Sequence, residues 1–203
     1  MKKIGVLASG RGTNLQAIFR SIAAGDINGQ IVIVVSDNPD AYALQRARKQ
    51  GVKEIFLNPS LHTDRQNYDQ ALKDILQGEG VDLVLLAGFM RLLSPNMVAA
   101  FPNRIMNIHP SLLPAFPGNN SVKQALEHGV KVTGCTVHFV DEGLDSGPII
   151  LQEAVPVLKQ DTVETLQERV QAAEYRNYSR AVSLFCRDLL KIEGRRCFID
   201  EHT

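Results

Sequence analysis

The sequence predicts an α/β protein with a mostly parallel central sheet, helices on both faces and an antiparallel strand, and three observations carry that expectation. Short apolar, β-branched runs alternate with segments of helical period through the first half of the chain. Glycines and prolines fall where those segments should stop or start. Late in the chain, two strand-like runs are joined by a connection too short for a helical crossover. In order, residues 4–8, 31–35 and 81–87 read as buried strands, separated by helical patterns at 14–24, 41–50 and 65–77, with a short strand at 54–57. Buried strands joined by helical crossovers run parallel, with right-handed connections. Gly25, Gly51 and Gly78 each follow a helical pattern, where a left-handed residue is needed, and Pro95 suits the first turn of a helix reaching Phe101. A short helix is expected near 122–128, and strands at 133–140 and 149–157 should pair antiparallel. Residues 162–190 read as mostly helical, with Asp161 as N-cap and Glu164 three residues on.

The run from Arg104 to Pro114 carries the densest chemistry. In a strand, residues i and i+2 share a face, so Asn107 and His109 project together while Ile108 packs behind them. Pro110 biases His109 toward extended geometry, and Pro114 keeps the next segment from becoming helical at once. The imidazole therefore stands where strand becomes loop, the place at which open α/β sheets bind ligands. An isolated histidine would more often be a buried core residue; an amide and an imidazole on one face at a strand end favour chemistry.

With 203 residues, 44% of them hydrophobic, the chain is long enough for one sizeable core. Lys plus Arg and Asp plus Glu both number 22, so no basic excess points to nucleic acid, and small-molecule substrates are the expected partners. The cysteines, Cys135, Cys186 and Cys197, are odd in number and lack C-x-x-C spacing, which argues against a disulfide framework or a zinc site and for a reducing, cytoplasmic setting. Met1, Lys2 and Lys3 resemble a signal-peptide start, but the apolar run after them breaks at Ser9 to Gly12. No membrane association is expected, and the oligomeric state is left as monomer or homodimer.

Ser9-Gly10-Arg11-Gly12-Thr13-Asn14-Leu15 lies between the first strand and the first helix, where glycines permit a tight turn and helix N–H groups favour an anion such as phosphate. An ordinary βα turn is the competing reading, since Leu15 stands where a dinucleotide fingerprint needs its third glycine and no P-loop Gly-Lys-Ser/Thr is present. The connection from Asp141 to Pro148 is rich in carboxylates and glycines; such a turn is commonly a solvated face, but a carboxylate beside His109 would favour and orient the imidazolium. His138 is an alternative base, although its mid-strand position between Val137 and Phe139 suits a hydrogen-bonded core histidine. Cys135, His138, His109 and Asp145 match no metal-site spacing, so no metal is expected. The segment Val84 to Leu93 is a strand running into an apolar lip, which serves core packing or walls a pocket for a flat ligand.

Four motifs in order, Ser9 to Gln16, Ala87 to Pro95, Asn107-Ile108-His109-Pro110-Ser111-Leu112-Leu113-Pro114, and Gly134 to Val140 with Asp145-Ser146-Gly147-Pro148, make the chain resemble the phosphoribosylglycinamide formyltransferase family over nearly its whole length. Methionyl-tRNA formyltransferase and formyltetrahydrofolate deformylase share the Asn-x-His-Pro motif but carry a further domain, for which this length leaves no room. The resemblance implies a single-domain, Rossmann-like formyltransferase fold over 1–203, with a phosphate-binding half at about 1–100 and a folate and catalytic half at about 101–203. It implies formyl transfer from 10-formyltetrahydrofolate, as cosubstrate, to the amine of glycinamide ribonucleotide in de novo purine synthesis. Gly12, Thr13, Asn14 and Glu174 would bind the ribonucleotide. Arg65, Met90, Arg91, Leu92, Leu93 and Asn107, with Asp141, Glu142, Gly143, Leu144 and Asp145, would surround the folate. Asn107 and the imidazolium of His109 would stabilise the oxyanion, and Asp145 would keep His109 charged and relay protons. The chain departs from the family pattern at Asn119-Asn120-Ser121, Tyr175 and Ser179. A formyl transfer or hydrolysis on another acceptor, and a non-catalytic binding module, are the competing functions.

Overall fold

The computed structural model describes residues 1–200 and divides into two compact units, one of residues 1–107 and one beginning at residue 108. In the first, β1 (Lys2–Leu7), β2 (Gly29–Ser36), β3 (Lys53–Phe56), β4 (Leu83–Leu86) and β5 (Ile105–His109) pair in the order β3-β2-β1-β4-β5, every ladder parallel. The crossovers are α1 (Thr13–Ala23), α2 (Tyr42–Lys49), α3 (Arg65–Gly78) and α4 (Pro95–Ala100). The apolar runs seen in the sequence become strands because both sheet faces are covered: Ile4, Val6, Leu7, Ile33, Val34, Leu83, Val84 and Leu85 are all fully buried. Helices α1 and α2 pack on each other and on β2, while α3 pairs with α4 and sets Leu76 against Gly5 of β1.

The boundary between the units falls inside β5, after Asn107. The second unit contains α5 (Ser121–Glu127), β6 (Val132–Phe139), β7 (Ile149–Pro156), α6 (Val163–Cys186), β8 (Leu190–Glu193) and β9 (Arg196–Ile199). Strands β6 and β7 are antiparallel, as the short connection requires, β9 runs parallel to β7, and β8 returns antiparallel on β9. The chain is thus α/β with a mostly parallel, mixed sheet arrangement. Among the described residues no helix is long and apolar enough to cross a membrane.

Three local expectations change. Helix α6 ends at Cys186, not near residue 190, because Asp188 adopts a left-handed backbone (φ 57°) and Leu189 donates back to Leu184; a β8–β9 hairpin turning at Gly194 (φ 60°) follows. Gly78 is the last residue of α3, and the left-handed position falls on Gly80 (φ 67°). The N-cap of α6 is Thr162, whose hydroxyl accepts from Thr165 N (3.3 Å) while Thr165 Oγ1 accepts from Thr162 N (3.0 Å). Asp161 is displaced from that role because its carboxylate accepts from Leu158 N at 2.7 Å, Thr165 Oγ1 at 3.0 Å and both terminal nitrogens of Arg169 at 2.9 and 2.5 Å.

The Arg169 guanidinium, aided by those hydrogen bonds, lowers the Asp161 carboxyl pKa to about 2. A carboxylate depressed in the folded state contributes stability above its unfolded pKa of about 3.9 and loses it as pH falls through the folded value. The stability difference between wild type and Asp161→Asn, measured by urea unfolding, is therefore expected to stay constant above about pH 5 and to shrink between about pH 4 and pH 2. A difference independent of pH over that range would remove Asp161 as the titrating group.

Candidate active site

Strand β5 delivers Asn107 and His109 to one face, with Ile108 turned away and buried. Beyond His109 the backbone is pinned to the neighbouring hairpin. Thr136 Oγ1 on β6 donates to Ser111 O (2.7 Å) and accepts from Leu113 N (3.0 Å), and Gln152 Nε2 on β7 donates to Leu113 O (2.9 Å). Ser111 is fully buried, so these bonds form without competition from water. The imidazole is consequently held from its own main chain, at the mouth of a strand.

Both ring nitrogens of His109 face acceptors. Nδ1 lies 3.3 Å from Asp145 Oδ2, both side chains being largely buried. Nε2 lies 2.9 Å from the carbonyl oxygen of Phe116 and 3.2 Å from Ser121 Oγ. A carbonyl only accepts, so Nε2 carries a proton here, and a second proton on Nδ1 would meet the carboxylate. Asp145 reaches the ring from a left-handed backbone (φ 50°), and its Oδ2 also accepts from Gly118 N at 2.9 Å. The remaining carboxylates of this loop do different work: Asp141 Oδ1 accepts from Gly143 N (3.1 Å) and Ser146 Oγ (2.7 Å), while Glu142 is exposed. Gly147 is buried where a Cβ would strike the Phe139 carbonyl, and Arg195 Nη2 donates to Ser146 O at 2.8 Å. Of the three carboxylates, Asp145 is the one at His109.

His138 stands on the other side of that carboxylate, its Nε2 3.7 Å from Asp145 Oδ1. Its Nδ1 lies 2.9 Å from Phe139 O, and burial lowers its pKa, so it is a neutral core histidine donating to the backbone. Glu174 is buried on α6, and burial, followed by the charges of Glu174 and Glu153, pushes the Cys135 thiol up to about 12. Tyr175 and Ser179 are half-buried on the same helix.

In the first unit the glycine-rich loop is stricter than an ordinary turn. Gly12 is buried at φ 64° as the N-cap of α1, and a Cβ there would lie 2.8 Å from Ala43 Cβ and 2.9 Å from Ala43 Cα. Helix α2 clamps this loop: Ala43 N donates to Gly10 O (3.1 Å), Arg46 Nε to Arg11 O (2.9 Å) and Arg46 Nη1 to Gln16 Oε1 (2.9 Å). The first-turn residues Thr13 and Asn14 thus start a helix at the carboxyl end of β1, a geometry suited to an anion. After β4, Gly88 (φ 76°) turns the chain into the lip, where Met90 is 73% and Leu92 56% exposed and Leu93 is half-buried. The Arg91 guanidinium lies 4.7 Å over the ring of Tyr68, with Nε buried, and Arg65 is exposed at the start of α3.

The structure therefore joins His109 to Asp145, and Gly12, Thr13 and Asn14 to one helix start. It adds groups that sequence reasoning missed. Ser121 and the Phe116 carbonyl contact the imidazole, but backbone oxygens carry no sequence signal and Ser121 lies in a Pro/Gly/Asn-rich stretch that points to no role. Thr136 and Gln152 sit at alternate strand positions that read as packing.

Residues 2–182 match the family model for formyl transferase. The chain is 58% identical to glycinamide ribonucleotide transformylase 1 from Symbiobacterium toebii, whose crystal structure it matches with a TM-score of 0.96 over 98% of this chain and 94% of that one. It is 40% identical over 201 residues to the phosphoribosylglycinamide formyltransferase of Haemophilus influenzae, covering 98% of this chain and 94% of that protein. It is also 44% identical over 201 residues to the trifunctional purine biosynthetic protein adenosine-3 of Bos taurus, covering 98% of this chain. It spans 20% of the length of that trifunctional relative.

Gly12→Ala places a side chain in left-handed backbone and against Ala43, so it is expected to cost about 1–3 kcal/mol for the overpacking and roughly 1–2 kcal/mol more for the backbone. Gly10 has open space where its Cβ would go, and Gly10→Ala should change stability by less than about 0.5 kcal/mol. Urea midpoints of the two variants provide the comparison, and equal losses would contradict the close approach of α2.

Proposed function

The chain belongs to the formyl transferase family, and on that premise we propose that it transfers the formyl group of 10-formyltetrahydrofolate to the amine of glycinamide ribonucleotide, yielding the formylated ribonucleotide and tetrahydrofolate. The observation that carries this reading is the His109 ring with Nδ1 on Asp145 and a donor proton at Nε2. The formyl transferase match over residues 2–182, and the likeness to a bacterial phosphoribosylglycinamide formyltransferase covered over 94% of its length, support the acceptor.

Attack by the neutral amine on the formyl carbon forms a C–N bond and moves the carbonyl π pair onto oxygen. Negative charge then develops where Asn107 and the Nε2–H of His109 can donate, and such preorganised donors act mainly on the transition state. Asp145 holds the ring from Nδ1, the position at which a second ring proton would meet its carboxylate. Collapse of the tetrahedral intermediate breaks the bond from the formyl carbon to N10 of the folate, which leaves with the electron pair and takes a proton, while the former amine loses one. Asp145 accepts and returns that proton through water.

Gly12, Thr13 and Asn14 at the start of α1 receive the ribonucleotide phosphate, and Glu174 a further part of that substrate. Arg65, Met90, Arg91, Leu92 and Leu93 are assigned to the folate. Asp141, Glu142, Gly143 and Leu144, in the loop that presents Asp145, are assigned to the folate as well. The stacking of Arg91 on Tyr68 leaves Arg65, exposed on α3, as the more open partner for the glutamate carboxylates of a folate.

Purified protein is expected to form formylated ribonucleotide without releasing formate to water. His109→Ala should reduce turnover by about 10²–10³-fold, the usual effect of losing one oxyanion donor, while ribonucleotide binding by calorimetry is retained. Asp145→Asn should also impair turnover, and the double variant should be far less damaged than the product of the two single losses. Release of formate in place of transfer would replace the acceptor with water, and multiplicative losses would separate Asp145 from His109.

A further inference from the structure

Ser9 opens the glycine-rich segment that the reading above gives to the ribonucleotide phosphate, yet its hydroxyl oxygen is engaged elsewhere. Its Oγ accepts a hydrogen bond from Met90 N at 3.0 Å, on the lip that follows β4. Its own N–H donates to Gly88 O at 3.0 Å, and its carbonyl accepts from Asn38 Nδ2 at 3.1 Å. The two bonds to the lip bracket Phe89 at the point where Gly88 reverses the chain.

The lip needs such bonds because packing does not hold it. Met90 and Leu92 leave most of their surface in water, so their side chains give the backbone little anchoring. At the far end, Asp69 Oδ2 accepts from Ser94 N at 2.5 Å, and Ser94 caps α4. Between those two fixed ends lie Met90, Arg91, Leu92 and Leu93, four of the residues assigned to the folate. We infer that Ser9 is a positioning residue for the folate side: its hydroxyl fixes the backbone at Met90 and does not serve the phosphate.

This inference rests on the proposed function, because it needs the lip to receive the folate. Ser9→Ala deletes the bond to Met90 and leaves both backbone bonds of Ser9 in place, which makes it a selective probe. A steady-state comparison is expected to show KM for the formyl folate raised about two- to tenfold, the worth of one neutral hydrogen bond, with KM for the ribonucleotide unchanged. Ser9→Thr keeps the acceptor and should restore the wild-type folate KM, and Ser9→Cys, a weaker acceptor of similar shape, should fall between them. Thermal midpoints of all three variants verify the fold, and the cysteine variant carries the comparison if alanine is not tolerated.

A raised ribonucleotide KM with an unchanged folate KM would return Ser9 to the phosphate loop and overturn the inference. Unchanged values for both would overturn it as well. Direct fluorescence titration of the wild-type protein with a folate separates this failure from that of the underlying reading. If wild type does not bind folate, the assignment of the lip falls and the inference with it; if it binds and Ser9→Ala binds equally well, the role of Ser9 alone falls.

Discussion

The 3.3 Å approach of Asp145 Oδ2 to His109 Nδ1 is the constraint around which the second unit's site is organised. A largely buried imidazole can take several orientations unless both nitrogens are engaged, and here one carboxylate selects the ring plane. Much of the surrounding covalent detail serves that contact. Asp145 adopts left-handed backbone that costs an ordinary L-residue roughly 1–2 kcal/mol. Gly147 allows the loop to pass against the Phe139 carbonyl, Asp141 ties the loop to itself, and Arg195 holds the Ser146 carbonyl from the β8–β9 hairpin. From the strand side, Thr136 and Gln152 fix the backbone that follows His109. An exposed ion pair of this kind would contribute little; burial is what gives it directional force.

The first unit solves a different problem, that of presenting polar backbone and exposed apolar groups without letting them collapse. Gly12 starts α1 in a conformation that only a residue without Cβ fits, against Ala43. The lip after β4 is held by its ends, at Ser9 and at Asp69, while Met90 and Leu92 between them stay in solvent. On the proposed reading, exposed apolar residues confined by polar anchors suit a flat, partly apolar ligand, since binding then buries surface that folding left open.

The sequence made most of the regular structure legible. Buried parallel strands need continuous apolar runs, and residues 31–35 and 81–87 betray β2 and β4 for that reason; Asn107 and His109 were placed by strand alternation alone. What escaped notice depends on interactions that composition does not encode. The capping shift from Asp161 to Thr162 follows from the prior claim of Arg169 on the carboxylate, a partner eight residues away on the helix. The helical reading overran α6 to residue 190 because only the left-handed turn at Asp188 stops the helix, and the β8–β9 hairpin beyond it was not anticipated. In the site, pairing of His109 with Asp145 joins residues far apart in sequence and came from family likeness, while Phe116 contributes a main-chain oxygen that any residue there would supply.

That oxygen has a consequence for how ligands compete. The Phe116 carbonyl, 2.9 Å from Nε2, is a tethered look-alike of a neutral acyl group, already seated on the imidazole. A ground-state formyl oxygen gains nothing by replacing it, because one neutral acceptor is exchanged for another. An oxyanion accepts a charge-assisted bond roughly twice as strong. On the proposed reading, the loop therefore acts as a built-in reference against which incoming oxygens are weighed, discounting the bound substrate while leaving the advantage of the developing charge intact. Differential binding of this sort raises rate without tightening the resting complex.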